Sequence, residues 1–369
     1  MTIKRKILLF SNTSWNLNNF RDPLIRELKK KNFYVIALAP KDNSTNDLKK
    51  KVDRFYSLNL LIKKNYIFFF LKNLIKFYKI IKKEKPNYIF SYTIKCNIAT
   101  IIISKLTNVI SYINITGLGS VFLNNNFYYY LLKKIIIFFY RNHKKVIFQN
   151  LDDVKLIYGR NYKKKKFNLI PGLGIDISFF KPFIKKIDNN NINFYMISRI
   201  IEDKGVYEYF EAVKKVSLKY PEAKFHFVGR FDHENPSSIS KENFFYNIKK
   251  LNIKYFDFFK DIKIILKKTD CIIHPSYREG MSRVLLEAAS VGIPIVTTKV
   301  AGCKEIVKDR YNGYLCEPMN SNDLSNCIIK FIKLTIKDKL QMGKNSRKLI
   351  ENKFNQKIII NKYLKLIND

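Results

Sequence analysis

The chain has 369 residues, 47% of them hydrophobic, which is enough apolar material for about two folded domains and excludes an intrinsically disordered chain. Its 69 Lys and Arg exceed its 30 Asp and Glu, which gives a formal net charge of +39. A charge of this size favours anionic partners such as a membrane surface, a nucleic acid or a phosphorylated ligand. Lys, Asn, Ile, Phe and Tyr are all abundant and have A/T-rich codons, so the functional share of the charge stays open.

Cysteine and histidine usage predicts a reducing compartment and no metal site. The five cysteines include no C-x-x-C pair and the four histidines show no paired spacing, so we expect neither a disulfide framework nor zinc. His274, at a strand end, is expected to be a packed core residue. The first apolar run, residues 7–10, is too short for a signal peptide, and no stretch approaches the roughly 20 apolar residues of a spanning helix. We therefore expect a cytoplasmic protein.

The first half of the chain alternates apolar strands with helices, which indicates a parallel α/β domain. Strands are predicted at residues 7–10, 33–40, 52–58, 110–115 and 146–150, the last being the final strand of this half. Residues 11–21 read as a polar loop at a substrate crevice, where Asn16 can bond hydroxyl groups and Trp15 can stack on a ring. An ordinary surface loop is the alternative. A helix is predicted at 22–31.

Two further loops of the first half also lie where a crevice is expected. Residues 88–97 read as a strand and its C-terminal loop, which carries Lys95 and Asn97. Gly117 and Gly119 follow the strand at 110–115, where they allow a tight turn and leave N–H groups free for an anion or a sugar. A G-x-G alone is more often only a turn.

Two helical segments combine aromatic and basic residues. They are predicted at 66–83 and 127–145, and both interleave Phe, Tyr, Leu and Ile with Lys or Arg. Such amphipathic helices suit an anionic bilayer surface, where each nearby cation contributes about 1 kcal/mol. The alternative is that their apolar faces are core and the lysines are solvated, and the pattern leaves this open.

The stretch 261–305 is the most informative part of the second half. A short apolar strand at 271–274 is followed by a turn, by a helix at 282–291 and by another strand, a right-handed crossover unit. The helix start and the loop before it lie at the carboxyl end of the sheet, where N–H groups can hold a phosphate. Glu279 and Glu287 are eight residues apart, about 12 Å along a helical path, a spacing that suits the two sugars of a nucleotide sugar.

The motifs of this stretch, E-G-M-S-R-V-L-L-E, A-x-x-x-G-x-P-I-V and A-G-C-x-E-I-V, resemble the retaining nucleotide-sugar glycosyltransferases of family 4, or group 1. A second motif, R-x-x-x-x-K-G at 199–205, is similar to the pyrophosphate-binding loop of that family. In the first half, S-Y-T-I-K-x-N and N-I-T-G-L-G-S look like the acceptor-side loops of its glycan-building members. Ile94 stands where related enzymes carry a His.

The resemblance implies a GT-B fold, two Rossmann-like α/β domains facing each other across a cleft. It places an acceptor and membrane-facing domain at residues 1–180, a nucleotide-sugar domain at 181–352, and a C-terminal helix at 353–369 that returns to the first domain. Residues 181–193, which are polar and rich in asparagine, are the predicted linker.

The resemblance also implies a metal-independent, retaining transfer that needs no cofactor beyond the UDP-sugar donor. Arg199 and Lys204 would neutralise the leaving diphosphate, and Glu279 would position the sugar rather than attack it, because one carboxylate does not form the close pair of retaining hydrolases. The residues expected to bind substrate are Glu287, Gly280, Met281, Ser282, Arg283, Val284, Gly229, Arg230, Ile262, Gly117, Gly119, Asn16, Lys95 and Asn97.

We therefore expect a hexosyltransferase that moves a hexose or N-acetylhexosamine, with N-acetylgalactosamine favoured, from a UDP-sugar to a glycan on an undecaprenyl diphosphate carrier. Its expected location is the inner face of the cell membrane, as a peripheral protein. One alternative is a nucleotide-sugar epimerase of the same architecture, which the shortage of His weakens. Another is a basic nucleic-acid-binding protein, but no groove-reading element or RNA module is visible. The linkage and the oligomeric state stay open.

Overall fold

The computed structural model describes residues 4–60, 66–123, 126–183, 188–233, 235–259 and 261–368. The chain forms two compact units, one made of Met1–Leu173 with Gln356–Asp369 and the other of Gly174–Asn355. Each unit has one parallel β-sheet with helices packed against it, which confirms the predicted α/β class. Part of the predicted linker, residues 184–187, lies outside the described residues.

The first unit is built on a seven-stranded sheet with the order β3-β2-β1-β4-β5-β6-β7. Its strands are β1 (Lys6–Phe10), β2 (Tyr34–Ala39), β3 (Arg54–Ser57), β4 (Tyr88–Tyr92), β5 (Ile110–Ile115), β6 (Val146–Phe148) and β7 (Asn168–Leu169). The chain moves outward from β1 in one direction and then, from β4 on, in the other. The sheet therefore has a topological switch point between β1 and β4, where Phe10 pairs with Ser91.

Seven helices connect the strands in the described part of the first unit. They are α1 (Ser14–Phe20), α2 (Asp22–Lys30), α3 (Thr45–Lys51), α4 (Tyr66–Glu84), α5 (Ile94–Thr107), α6 (Phe127–Arg141) and α7 (Leu151–Tyr158). The strands are largely apolar because helices cover both faces of the sheet. Ile7 and Leu9 pack into one cluster and Leu8 and Phe10 into another on the opposite face, and all four are fully buried.

Three expectations for the first unit were wrong. Residues 14–20 form α1 rather than a loop, because the Thr13 hydroxyl accepts a hydrogen bond from the Asn16 N–H at 3.0 Å and caps the helix. Lys95 and Asn97 lie in the first turn of α5 and not in a loop. The strand at 146–148 is followed by one more, β7, which is too short for an apolar pattern to reveal it.

The second unit has a six-stranded sheet with the order β10-β9-β8-β11-β12-β13. Its strands are β8 (Ile192–Ile197), β9 (Ala223–Val228), β10 (Lys254–Phe256), β11 (Cys271–His274), β12 (Ile295–Thr298) and β13 (Gly313–Cys316). Its helices are α8 (Val206–Ser217), α9 (Lys241–Lys250), α10 (Lys263–Lys268), α11 (Arg283–Ser290), α12 (Ser321–Ile332) and α13 (Ile336–Leu349). The switch point of this sheet lies between β8 and β11.

The last helix, α14 (Gln356–Asn368), belongs to the first unit, as predicted. One face of it is buried in that unit's core, and the buried residues are Ile359, Ile360, Tyr363, Leu364 and Ile367. Hydrogen bonds also fix it: the Tyr363 hydroxyl donates to Asn114 Oδ1 at 2.8 Å, and the Tyr88 hydroxyl donates to the Ile367 carbonyl at 3.0 Å. Among the helices described, none has the length and apolarity that a bilayer crossing requires.

The packing of α14 gives a matched pair of substitutions. Ile359 is 1% exposed and its neighbour Ile358 is 37% exposed. We expect Ile359→Ala to lower the free energy of unfolding of the first unit by about 2–4 kcal/mol, because it leaves a cavity in the core. Ile358→Ala should change it by less than about 1 kcal/mol. Urea unfolding followed by circular dichroism measures both, and equal losses would show that α14 is not part of the core.

Candidate active site

The candidate site lies at the carboxyl edge of the second unit's sheet, at its switch point. Two segments meet there: residues 198–205, which follow β8, and residues 275–282, which follow β11. In open α/β sheets ligands bind outside the carboxyl ends of the strands at this place. The two segments that carry the predicted catalytic residues are therefore neighbours in the fold, although they lie far apart in the sequence.

Close backbone packing holds the two segments together. Gly205 has φ +72°, and a Cβ built there would lie 2.1 Å from the Pro275 carbonyl oxygen, so only glycine fits. The Tyr277 N–H donates to the Asp203 carbonyl at 2.9 Å, and the Ser276 hydroxyl donates to the same oxygen at 3.2 Å. These contacts fix the position of the residue between them, Lys204, relative to the loop after β11.

Lys204 and Glu279 form a partly buried ion pair in which the Lys204 ammonium donates to Glu279 Oε1. The same oxygen accepts a hydrogen bond from His274 Nε2 at 2.9 Å. Ser282 Oγ, at the start of α11, lies 3.3 Å from that nitrogen. The strand end, the loop and the helix start thus converge on one carboxylate.

The environment keeps Glu279 ionised. Burial by itself would raise the pKa of this carboxyl, but the Lys204 charge and the His274 hydrogen bond outweigh burial and hold the pKa well below its ordinary value. A carboxylate in this state accepts hydrogen bonds and does not donate a proton at neutral pH. It is suited to orient hydroxyl groups of a ligand.

Glu287, the second acidic residue of the motif, is buried on α11 and has the opposite pKa shift. Its Oε1 accepts a hydrogen bond from Arg283 Nε at 2.8 Å, one helical turn earlier. Burial raises the pKa of Glu287, and the Arg283 guanidinium offsets this only in part. The hydrogen bond from Arg283, in the first turn of α11, orients the Glu287 carboxyl group.

Arg199 and Arg230 are exposed near the same edge of the sheet. Arg199 Nη1 lies 2.5 Å from Asp232 Oδ2, and Arg230 Nε lies 3.1 Å from Asp257 Oδ2. The carboxylates Asp232 and Asp257 hold the two guanidinium groups, and neither acid stood among the expected site residues. Arg199 is thus placed on the edge that carries Lys204, but its ionic partner is Asp232.

Close backbone approaches explain two of the glycines. A Cβ on Gly229 would lie 1.7 Å from the Ser198 carbonyl oxygen, so β9 and β8 come together tightly at their ends. A Cβ on Gly302 would lie 2.7 Å from the carbonyl oxygen of Gly280, which is buried. The remaining expected positions, Met281, Val284 and Ile262, are partly buried against the apolar cluster beneath the site.

The expected site residues of the first unit differ in how deeply they are buried. Asn97 is fully buried, and its amide bonds the Ser91 hydroxyl at 2.8 Å and the Asn114 carbonyl at 2.9 Å, which gives it a structural role inside the unit. Lys95 is partly buried, and burial lowers its pKa. Gly117 and Gly119 both have positive φ, and nothing in the described part of the chain lies within 4 Å of a Cβ built on Gly119.

His274 was expected to be a packed core residue, and it is buried, but it also touches Glu279. Its position at the last residue of β11, five residues before the acid, is the sequence signal that could have assigned it to the site. Within the described ranges, which omit short segments such as 184–187 and 234, no group of three or more His, Cys, Asp and Glu is arranged to hold a metal.

Two family models match the chain, one in each half. The model described as "Glycosyl transferases group 1" matches residues 178–349, and the one described as "Glycosyl transferase 4-like" matches residues 6–150. Both models describe glycosyltransferases and together they cover most of the chain, so the chain is a glycosyltransferase with a group 1 domain in its second half. The ion pair of Lys204 with Glu279, the Glu287 carboxyl and the exposed Arg199 all lie within the part of this glycosyltransferase that the group 1 model covers.

Relatives and solved structures extend this result. An N,N'-diacetylbacillosaminyl-diphospho-undecaprenol alpha-1,3-N-acetylgalactosaminyltransferase of Campylobacter jejuni is 28% identical to the glycosyltransferase over 98% of both chains. A UDP-Gal:alpha-D-GlcNAc-diphosphoundecaprenol alpha-1,3-galactosyltransferase of Escherichia coli is 31% identical over 52% of this chain and 51% of that protein.

Among solved structures, a sucrose-phosphate synthase of Thermosynechococcus elongatus superposes with a TM-score of 0.83 at 17% identity, over 99% of this chain and 98% of that one. HepE of Anabaena in complex with UDP gives 0.79 at 16% identity, over 98% and 99%. At these identities the likeness concerns the fold, and it confirms the predicted GT-B fold.

The buried pair predicts a pH-dependent effect of Lys204→Met. Without the ammonium, only the His274 hydrogen bond opposes the burial of Glu279, so we expect the pKa of Glu279 to rise and the variant to lose about 3–5 kcal/mol of stability at pH 7. In the wild type the low pKa contributes stability that is present above the ordinary carboxyl value of 4.5 and lost as the pH falls further. The difference between the two proteins should therefore shrink on acidification.

Thermal unfolding of both proteins between pH 7 and pH 4 measures this difference. Lys299→Met is the control, because Lys299 pairs with Glu317 at 2.7 Å on the surface, and it should leave stability unchanged at every pH. If the difference in stability between wild type and Lys204→Met stays constant across the pH range, the low pKa assigned to Glu279 is wrong.

Proposed function

We propose that this glycosyltransferase moves a hexose or N-acetylhexosamine from a UDP-sugar to a glycan on an undecaprenyl diphosphate carrier. The Campylobacter and Escherichia relatives, which are transferases for undecaprenyl-diphosphate-linked sugars, support this acceptor class, and the Escherichia relative, a UDP-Gal transferase, supports a UDP-sugar donor. The observation that carries the proposal is the set of Lys204, Glu279 and His274 at the switch point of the second sheet. N-acetylgalactosamine is the favoured sugar, because the relative matched over the whole chain transfers it.

The charges of the second unit suit a sugar diphosphate. The donor's diphosphate lies at the start of α11, near the Ser282 hydroxyl, with the Lys204 ammonium and the Arg199 guanidinium as cations. As the bond between the sugar and the diphosphate breaks, negative charge grows on the leaving group, and fixed cations stabilise it without rearrangement. The same two cations take the place of a divalent metal in this proposal.

The two carboxyl groups have separate roles. Glu279 stays ionised and accepts hydrogen bonds from hydroxyl groups of the transferred sugar, while Glu287 bonds the ribose. A retaining hydrolase needs two carboxyl groups about 5 Å apart, but the groups bonded to Glu279 are the Lys204 ammonium and the His274 imidazole. We assign no carboxylate nucleophile to the site, and we propose retention of the anomeric configuration because the motifs resemble those of the retaining family 4 enzymes.

A panel of radiolabelled UDP-sugars, incubated with the protein and a bacterial membrane extract, tests the donor and the acceptor together. We expect one label to enter the lipid fraction, with release of UDP that depends on the lipid-linked acceptor. The anomeric proton coupling of the product reports retention. Release of UDP without transfer, or interconversion of free sugars, would favour the epimerase alternative instead.

Substitutions in the donor site predict the loss of transfer. Lys204→Ala and Glu287→Ala should each lower the rate of label incorporation by at least about 100-fold, because each removes a charged hydrogen bond to the donor. Lys214→Ala, an exposed lysine on α8, is the control and should keep the wild-type rate. Circular dichroism checks that the variants are folded. Near-normal turnover of either site variant would refute the donor-site assignment.

We also propose that the first unit binds an anionic membrane surface through α4 and α6. α6 buries Ile136 and Tyr140 and exposes large apolar side chains beside Lys133, Lys134 and Arg141. The exposed apolar residues are Phe68, Leu71 and Ile75 on α4 and Phe127, Tyr128, Tyr130, Leu131, Ile135 and Phe138 on α6. A soluble surface seldom concentrates so many apolar groups, whereas a bilayer interface accommodates aromatic and cationic side chains together.

Vesicle sedimentation tests this surface with a matched control. Phe127 and Leu218 are each 81% exposed, but Leu218 belongs to the second unit and to neither helix. The double variant Phe127→Ser and Phe138→Ser should lower the fraction of protein bound to vesicles with anionic lipid by about tenfold or more, because two apolar anchors are lost. Leu218→Ser should bind like the wild type. Equal binding by all three proteins would exclude α6 as the contact.

A further inference from the structure

Arg21 is a buried cation of the first unit, and no anionic side chain pairs with it among the residues that the structure describes. It joins α1 to α2 and is only 2% exposed. Its Nε and Nη1 have no hydrogen-bond partner within the same described ranges. Buried charged groups are normally paired or bonded, because leaving one uncompensated is costly.

The neighbours of Arg21 compensate its charge only in part. The guanidinium carbon lies 3.8 Å from the centre of the Tyr92 ring, a cation–π contact. The Tyr92 hydroxyl is itself buried without a partner in the described part of the chain. The Arg21 charge also acts on the Tyr363 hydroxyl, where it opposes the rise in pKa that burial causes. The adjacent acid, Asp22, is occupied by Arg26 at 2.9 Å and by Lys51 at 3.1 Å.

Arg21 packs against a residue that lies at the switch point of the first sheet. Tyr92 is the last residue of β4, and β4 pairs with β1 at the switch point of the first sheet. This is the place in the first unit that corresponds to the site of Lys204 and Glu279 in the second. Thr93, which follows Tyr92, has φ 76°, a strained value for a β-branched residue.

We propose that Arg21 forms the base of an anion-binding site for a phosphate or diphosphate group at the carboxyl edge of the first sheet. In the second unit the partly buried Lys204 ammonium has its carboxylate, Glu279, whereas Nε and Nη1 of Arg21 bond no group that the structure describes. A guanidinium binds phosphate oxygens through charged N–H donors, and the donors on Nε and Nη1 are the ones left unused here. The half-buried residues Asn12, Thr13 and Thr93 leave this edge open to solvent.

The anion has two possible sources, the UDP-sugar and the lipid-linked acceptor, and both carry a diphosphate. Naming these sources rests on the proposed function, but the anion site itself does not. The first experiment therefore uses inorganic diphosphate and the full chain. Protein labelled with ¹⁵N at arginine Nε is titrated with diphosphate, and the Arg21 resonance is assigned by its loss in Arg21→Gln. We expect this resonance to shift and saturate.

Titration calorimetry with the variants is the second measurement. Arg21→Gln and Arg21→Met should weaken diphosphate binding by about tenfold to 100-fold, because a charged hydrogen-bonding pair is lost. Both should unfold at the wild-type temperature or above it, since they remove an uncompensated buried charge. Arg26→Gln, on the exposed face of α2, is the control and should bind diphosphate like the wild type.

Three results would overturn the proposal. They are an Arg21 resonance that stays unchanged at saturating diphosphate, wild-type binding by a folded Arg21→Gln, and a crystal structure grown with diphosphate that shows only ordered water on Nε and Nη1. If the variants do not fold, the crystal structure of the wild type grown with diphosphate still decides.

Titrations with UDP and with a soluble prenyl diphosphate sugar then separate the sources. A shift of the Arg21 resonance with UDP alone assigns the site to the donor, and a shift with the prenyl compound alone assigns it to the acceptor. A response to inorganic diphosphate with neither compound would uphold the anion site and count against the proposed substrates.

Discussion

The ion pair of Lys204 with Glu279 is the constraint on which the second unit's site depends. Two charges removed from water are tolerated only when they compensate each other with good geometry. That geometry requires the segment after β8 to lie directly against the segment after β11, which is possible because Gly205 leaves room for the Pro275 carbonyl. The glycine, the ion pair and the His274 hydrogen bond therefore form one unit of structure, and none of them can change alone.

The same topology occurs in both sheets, and it concentrates polar groups in the same place. Parallel strands are buried on both faces, so their side chains are mostly apolar and cannot bind a polar ligand. Loops at the carboxyl edge are the positions where polar side chains can gather, and at a switch point two such loops diverge and leave a crevice. In the second unit the Lys204 ammonium and the Glu279 carboxylate compensate each other, whereas in the first unit Arg21 has no counter-ion among the residues described.

Much of the fold could be predicted because buried parallel strands are continuous apolar runs. The strands at Ile110–Ile115 and Cys271–His274 agree with the predicted bounds, and the helix-exit motif after α11 revealed the family. The short polar helix α1 was missed, since a single cap at Thr13 decides it and its composition resembles a loop.

In the candidate site, only residues that belong to a short sequence motif could be predicted. Glu279, Glu287 and Lys204 belong to local motifs, so spacing and resemblance made them candidates, and the structure brings Lys204 and Glu279 into contact. Asp232 and Asp257, the partners of the two arginines, are ordinary acidic loop residues in the sequence. The burial of Arg21 could not be predicted, because a basic residue in a chain with a net charge of +39 is expected to face solvent, and its aromatic partner, Tyr92, is distant in the sequence.

The contribution of α14 to the first unit has a consequence for synthesis on the ribosome. The second unit is one continuous stretch, Gly174–Asn355, whereas the core of the first unit includes residues from both ends of the chain. As the chain emerges from its N-terminus, the second unit is complete before the first. The usual order, in which the N-terminal domain folds first, is therefore reversed for the final step. One apolar face of the nascent first unit stays uncovered until α14 has been synthesised.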